Sequence, residues 1–309
     1  MMKDWPLVSI VLPITEFEAG EYLKPFLQSV FRLDYQRSLV EIILRDNGLK
    51  KDTIRRIKRR YPKIVIVRDG RNVYYAMGIN EAAKTAKGVW LYVGNTDTLL
   101  DKNCLRQLVL TAESKPSIAI VGPKVFSMDR RDEISRRDLP VSSVNFTLGI
   151  LHNLSISQLL KLKEVTDVVW VSGCGFLVRR GVWEKLFGFD ERFLIYWEDA
   201  DLGVRARRLG YRAVVAPAAK IWHKGSAVMG VVSPQKAYYQ ARSTLYFWSK
   251  YLNKFGKGLM VAKIGAGCLI KLGKTFVGID RETTRAYLLG IVDFIKCRFE
   301  RRYERYEGV

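Results

Sequence analysis

The chain is poor in residues that staple small folds. Its four cysteines, Cys104, Cys174, Cys268 and Cys297, form no C-x-x-C pair, and there are only two histidines in 309 residues. That spacing argues against a zinc site and a disulfide framework, and for free thiols in a reducing, cytoplasmic compartment. Long apolar runs are missing as well, and no stretch approaches the ~18 unbroken apolar residues of a membrane-spanning helix. The apolar segment Pro6 to Ile14 does not read as a signal peptide. Asp4 stands in the flank, Pro13 interrupts the run, and Glu16 and Glu18 follow where small cleavage-site residues belong. Negative charge is scarce: 31 Asp and Glu face 52 Lys and Arg, a formal net charge of +21. Such a field attracts nucleic acid, an anionic bilayer or a phosphorylated ligand, and equally describes a solvated basic surface.

What remains is a globular composition, 48% hydrophobic and 12% aromatic. It excludes collagenous and disordered classes, and a chain of this length buries roughly 75% of its unfolded surface. From Val8 to about Val121, β-branched runs alternate with helical periodicity, the signature of an α/β domain with a largely parallel sheet. The runs are Val8–Leu12, Val40–Arg45, Lys63–Val67, Val89–Val93 and Ile118–Val121. Helices are expected near Pro25 and over Asp52–Arg60, Tyr75–Ala86 and Lys102–Ser114. Residues 127–166, opening on the charge-dense MDRRDEISRRD, read as an insertion. Regular structure is expected again over residues 167–253: a strand pair through VSGCGFLVRR, a helix from Glu198, a strand at Arg212–Val215 and a long helix from Gln235. Residues 254–309 form a basic tail whose apolar stripe runs Leu288, Leu289, Val292, Ile295, Phe299, with Lys296, Arg298, Arg301, Arg302 and Arg305 opposite. Two readings of the tail stand: a helix docked on the body, or one lying on an anionic membrane.

In open α/β sheets, ligands bind beyond the carboxyl ends of the strands. Two strand exits carry acids: Asp46-Asn47-Gly48, and Asn95-Thr96-Asp97. Singly, each is an ordinary turn. Together they line one crevice edge, the first suited to a nucleoside and the second to a divalent cation against a diphosphate. Farther on, a Gly-rich stretch with Gly173 and Gly175 precedes Trp197-Glu198-Asp199, and His223 follows a strand. An aromatic beside two carboxylates suits a sugar, and an imidazole at a strand end suits a metal or phosphate.

At these residues the chain resembles the inverting nucleotide-sugar glycosyltransferases of the GT-A fold, family two, in its rhamnosyltransferase-like branch. The resemblance covers about residues 8–253, through the N-T-D triplet, GCGFLVRRGVWEKLFGFDERFLIYWEDADLGVRARRLGYR and KIWHKGSAV. It implies a Rossmann-like catalytic domain over 1–253, with residues 1–126 as the nucleotide-sugar-binding half and 167–253 as the acceptor half, followed by the helical extension. It implies Asp199 as catalytic base; donor contacts at Asp46, Asn47, Asn72, Asn80 and Asp97; acceptor contacts at Gly173, Gly175, Trp197 and Glu198; and Mg²⁺ or Mn²⁺ held by Asp97 and His223. The donor would be a UDP, GDP or dTDP sugar and the acceptor a glycan or lipid-linked hydroxyl, at the cytoplasmic membrane face. A sugar-phosphate nucleotidyltransferase would need a Gly-rich basic loop after the first strand, where PITEFEAGEY stands instead. A nucleic-acid-binding module rests on charge alone, with no recognised motif.

Overall fold

The computed structural model describes residues 5–225, 233–276 and 281–300. The chain divides into two compact units, the first comprising 1–143, 153–190 and 199–225, the second 144–152, 191–198 and 226–309.

In chain order the first unit holds β1 (Val8–Ile14), α1 (Glu16–Glu21), α2 (Leu23–Phe31), β2 (Val40–Asp46), α3 (Lys51–Arg60), β3 (Val65–Val67), α4 (Tyr74–Ala83), β4 (Trp90–Gly94), β5 (Thr98–Leu100), α5 (Cys104–Glu113) and β6 (Ile118–Ser127). A hairpin, β7 (Val141–Asn145) and β8 (Ile150–Asn153), follows, with its residues 144–152 in the second unit; the first unit then continues with α6 (Ile156–Lys161), β9 (Thr166–Val168), β10 (Gly175–Arg179), α7 (Arg180–Lys185), α8 (Glu198–Arg208) and β11 (Arg212–His223). Nine strands form one sheet in the order β3-β2-β1-β4-β10-β6-β11-β5, with β9 also paired to β11. Pairing is parallel from β3 to β4 and mixed beyond, because β10 runs antiparallel to both β4 and β6 while β6 and β11 are parallel.

Burial on both faces explains why the strands read as unbroken apolar runs. On β1, Val8, Ile10, Leu12 and Ile14 join a core with residues of α2, α3 and α5. Val11 joins the opposite core, with residues of α4 and α7. The order 3-2-1-4 reverses direction at β1, so the exits of β1, β2 and β4 open onto one crevice, the switch point where such sheets bind ligands. The expected strand pair through VSGCGFLVRR is a single strand, β10; residues 171–174 leave the ladder to form a loop. The register of β11 against β6 shifts between Val215 and Lys220, beside Pro123 and Pro217, which cannot donate to a ladder.

In the second unit α9 (Pro234–Tyr251), α10 (Lys254–Phe276) and α11 (Arg281–Ile295) pack around Ala241, Leu245 and Ile291. By contacts α9 groups with the tail, together with residues 144–152 and 191–198, whereas the sequence reading placed all of 1–253 in one domain. The expected stripe on the last helix holds at Leu288, which packs on that core, and is corrected at its C-terminal end. Its buried residues are Thr283, Thr284, Ala286, Gly290, Ile291 and Asp293, whereas Val292 is 40% and Ile295 70% exposed. Close approach decides the face: a Cβ on Gly290 would lie 2.5 Å from the Tyr238 carbonyl oxygen of α9. Tyr238 donates from its hydroxyl to Asp293 at 2.9 Å, which accounts for a buried acid on that face. Lys296 and Arg298 are exposed, and Phe299 lies beyond the helix end, its ring 4.6 Å from that of Tyr246. Arg301, Arg302 and Arg305 lie outside the described residues, as does Ser226.

Candidate active site

The loop 172–174 links the chemistry-bearing residues of the first unit. Gly173 donates its N–H to Asp199 Oδ2 at 2.7 Å, and Ala200 donates to Oδ1 at 2.7 Å. A side chain at Gly173 would meet that carboxylate, its Cβ 3.3 Å from Oδ2. Tyr75, from α4, donates to the Gly173 carbonyl at 2.6 Å. Ser172 donates to Asp138 Oδ1 at 2.6 Å, and the Cys174 carbonyl accepts from the N–H of Asn95 at 3.1 Å. One short loop therefore contacts the residues around both expected functional acids. Burial raises the Asp199 pKa to about 6, opposed by the two backbone hydrogen bonds and helped by the charge of Asp138. A carboxylate so placed is a proton acceptor near neutrality.

His223 ends β11. Its Nδ1 lies 2.9 Å from Asp138 Oδ2 and its Nε2 3.4 Å from Asp97 Oδ1. Burial lowers the His223 pKa; the Cys174 sulfur and the carboxylates of Asp138 and Asp97 outweigh it and hold the value well above that of a free imidazole. Asp138 is fully engaged: besides His223 and Ser172 it accepts from the Ser135 hydroxyl at 2.5 Å. Asp97 Oδ1, by contrast, is buried with no hydrogen-bond donor. These facts fit a divalent cation. The pair Asp97 Oδ1 and His223 Nε2 offers the oxygen and nitrogen donors that Mg²⁺ and Mn²⁺ accept, and a carboxylate behind Nδ1 is the usual support that orients a metal-bound imidazole. Asp138, Cys174 and His223 also have ligand atoms within 4.8 Å of one another. That set is the weaker candidate, because Asp138 is spent on hydrogen bonds to His223, Ser172 and Ser135.

At the nucleotide end, Asp46 Oδ1 accepts the N–H groups of Gly48 at 2.9 Å and Leu49 at 2.6 Å, closing the turn after β2, and Oδ2 lies 3.4 Å from Arg68. Asn47 clamps the start of α4, donating to the Tyr74 carbonyl at 3.1 Å and accepting from Val73 at 3.2 Å. Exposed Asn72 accepts from the Tyr74 N–H at 3.0 Å. Asn80 is corrected: both ends of its amide pair with the Phe189 backbone at 2.9 Å, making it a brace for α4 and not a donor contact. Gly175, expected as an acceptor contact, has a packing reason of its own. It lies within β10, where a Cβ would come 2.5 Å from the Tyr92 hydroxyl.

Trp197 and Glu198 belong to the second unit. The Trp197 ring packs 4.6 Å from Phe247 and 6.0 Å from Trp248, while Glu198 is buried, its charge helping burial to raise the Tyr196 hydroxyl to about 12. Leu194, Tyr196 and Trp197 have φ of 59°, 70° and 73°, a left-handed conformation unusual for side chains of this size. Such a segment persists only when its surroundings fix it. Ser243 of α9 donates to the carbonyls of Phe193 at 3.0 Å and Ile195 at 2.9 Å, and buried Arg242 donates to Phe193 at 3.1 Å.

The sequence reading missed two acids. Asp138 closes the charge-dense run that opens the expected insertion; its only signal was its place at the end of that run, before Leu139-Pro140. Glu18 was used only to exclude a signal peptide. It is buried, caps α1 reciprocally with Thr15, and accepts from Thr96 at 3.3 Å beside Asp97. Burial, helped by the charge of Asp97 and opposed by the Thr15 hydrogen bonds, raises its pKa.

A switch-point crevice with an acid-histidine pair at one strand exit and a half-buried carboxylate at a helix start is the arrangement expected of a GT-A nucleotide-sugar glycosyltransferase. The sequence pattern described as "Glycosyltransferase like family 2" matches residues 6–238, and the chain belongs to that family. It is 28% identical over 234 residues to the N-acetylglucosaminyl-diphospho-decaprenol L-rhamnosyltransferase of Mycobacterium tuberculosis, covering 69% of this chain and 76% of the relative. It is 24% identical to the probable glycosyltransferase YdaM of Bacillus subtilis, over 83% of this chain and 59% of that protein. Among solved structures, the mannosyltransferase PcManGT of Pyrobaculum calidifontis, in complex with GDP-Man and Mn²⁺, has a TM-score of 0.58 at 14% identity, covering 94% of this chain and 87% of that one. GalNAc-T7 with UDP, GalNAc and Mn²⁺ gives 0.60 at 16% identity, over 72% of this chain and only 44% of the other. These likenesses show the shared fold, and family membership sets aside the nucleotidyltransferase and nucleic-acid-binding alternatives. The chain is a glycosyltransferase of glycan synthesis that uses a nucleotide sugar.

Proposed function

We propose that the enzyme transfers a hexosyl or deoxyhexosyl group with inversion from a UDP, GDP or dTDP sugar to a hydroxyl of a lipid-linked glycan, at the cytoplasmic membrane face. The observation that carries this is Asp199: half-buried, gripped by the Gly173 N–H, and basic enough to accept a proton near pH 6. The acceptor hydroxyl gives its proton to the Asp199 carboxylate as its oxygen bonds to the anomeric carbon. The bond from that carbon to the diphosphate breaks, and the electron pair leaves with the diphosphate. Asp97 and His223 would hold a divalent cation, which when bound supplies positive charge to the departing diphosphate. Asp138 keeps the His223 ring oriented, with its Nε2 toward Asp97. Arg137, exposed and 3.4 Å from the Gly225 carbonyl, adds a second positive charge on that side. A lipid-linked acceptor is supported by the M. tuberculosis relative, whose name specifies a polyprenyl diphosphate, and a cation by the neighbours solved with Mn²⁺.

Asp199→Asn tests the assignment, since the amide keeps the shape of the side chain but cannot take the proton. Transfer falls about 10²- to 10⁴-fold while donor affinity stays within a factor of about two. Glu198→Gln is the control. A larger loss there, with Asp199→Asn nearly active, moves the base to Glu198.

A further inference from the structure

We propose that Tyr75 is a positioning residue for sugar transfer: it holds the 172–174 loop so that the Gly173 N–H fixes the Asp199 carboxylate in place for proton transfer. The chain of contacts is short and lies wholly within the first unit. The Tyr75 hydroxyl donates to the Gly173 carbonyl at 2.6 Å, and the Gly173 N–H donates to Asp199 Oδ2 at 2.7 Å. Gly173 is thus held through both of its peptide planes, one by α4 and one by the start of α8, and this fixes the two torsions between them. Glycine is required at 173, since a Cβ would stand 3.3 Å from Oδ2, yet glycine has the least torsional restraint of its own. The restraint has to come from a neighbour. Ser172, bonded to Asp138, and the Cys174 carbonyl, bonded to Asn95, anchor the two ends of the loop. Tyr75 is the attachment at the residue that carries the N–H to Asp199.

A hydroxyl positions a loop only if its own element is fixed. α4 is held at its start by Asn47, which donates to the Tyr74 carbonyl and accepts from Val73, and farther along by Asn80, whose amide pairs at both ends with the Phe189 backbone. The Tyr75 ring lies 5.9 Å from that of Phe189, so ring packing and hydroxyl bond are separable features of one side chain. Asn72, at the nucleotide end of the crevice, accepts from the Tyr74 N–H at 3.0 Å. The segment from Asn72 to Tyr75 therefore joins that end of the crevice to the loop that grips the base. A misplacement of reacting groups by about 1 Å costs on the order of 10²-fold in rate, so a support that acts only through Asp199 is enough to govern turnover.

This role rests on the reading of Asp199 as the base, and the two are tested separately. Tyr75→Phe keeps the ring and removes only the hydroxyl, with a cooperative thermal transition confirming that the full chain is folded. In the absence of substrate, exchange of the Gly173 amide proton is expected to become about fivefold faster than in the wild type, because one hydrogen bond that holds its loop is gone. Unchanged exchange overturns the proposal. Transfer is then measured from UDP-GlcNAc, GDP-Man or dTDP-L-rhamnose, whichever the wild type uses, to N-acetylglucosaminyl-diphospho-farnesol. In Tyr75→Phe, kcat is expected to fall about tenfold while both KM values stay within a factor of about two. In the Asp199→Asn background the same change is expected to lower the residual rate by less than about twofold, since the group that Tyr75 positions no longer takes a proton. The same loss in both backgrounds, or a raised KM with kcat unchanged, overturns the proposal by making Tyr75 a general structural support or a substrate contact. Failure of the base reading shows in the single variant instead, as an Asp199→Asn enzyme that is nearly active.

Discussion

Asp199 couples its burial to its chemistry. Because the folded protein raises its pKa to about 6, the acid form is favoured in the native state, and the stabilising contribution, full below the ordinary carboxylate value, is lost as pH rises through about 6. Activity has the opposite dependence. With donor and acceptor saturating, transfer rises with pH through about 6 to a plateau, and the residual activity of Asp199→Asn lacks that limb; the same limb in the variant would assign the titration to another group. A second test belongs to Asp138, which holds His223 Nδ1 at 2.9 Å. Removing such a support weakens metal binding about 10- to 100-fold. The Mn²⁺-dependent rise in melting temperature with a nucleoside diphosphate is therefore expected at correspondingly higher Mn²⁺ in Asp138→Ala, and to vanish in Asp97→Ala. An Asp97→Ala protein that responds like wild type would make Asp97 a turn residue. Asp97, Asp199 and His223 stood out in the sequence because each lies in a local pattern tied to chemistry, and the structure puts Asp97 and His223 side by side. Asp138 did not stand out, since in sequence it is one more charge in a charged run, and only the path of the insertion buries it.

Elements with strong periodicity were easy to read, and those set by close approach were not. The five β-branched runs up to Val121 all contain strands, because burial on both sheet faces leaves little choice of residue. β5 is three residues long and follows N-T-D, so it was indistinguishable from a turn. On α11, counting apolar residues was right for Leu288, which packs on the Ala241, Leu245 and Ile291 core, and wrong for Val292 and Ile295, because Gly290 and the hydrogen-bonded Asp293 take the close contact with α9. Gly290→Val is therefore expected to destabilise the protein by several kcal/mol, since the added atoms meet the Tyr238 backbone, whereas Ile295→Ser, at an exposed position, changes stability by less than about 0.5 kcal/mol. Equal effects of the two would mean that the helix does not dock in this way. Phe187 gives a cleaner backbone test. It follows α7 with φ of 58° and is 90% exposed, so Phe187→Gly removes left-handed strain at little loss of packing. A gain of about 1 kcal/mol is expected from chemical denaturation.

At the scale of the molecule, the +21 charge has to be reconciled with an enzyme whose acceptor is proposed to sit in a membrane. No helix among the described residues is long and apolar enough to cross a bilayer. Attachment through charge and a shallow apolar row is the route we propose for reaching a lipid-linked substrate. The two contributions separate by salt. Charge attraction is screened over a Debye length that shrinks from about 10 Å at 0.1 M to about 3 Å at 1 M, while apolar insertion is not. In flotation at low salt, the full chain is expected to rise with anionic vesicles and to stay behind with neutral ones. Phe255→Ser/Val261→Ser/Leu269→Ser, which alters only exposed positions of α10, is expected to float at low salt but to be released at an ionic strength that the wild type withstands. Release of both proteins at the same salt would leave charge as the whole attraction and remove α10 from the contact. Flotation of wild type on neutral vesicles would instead make the apolar row sufficient, and the basic surface would then serve the diphosphate-bearing substrates alone.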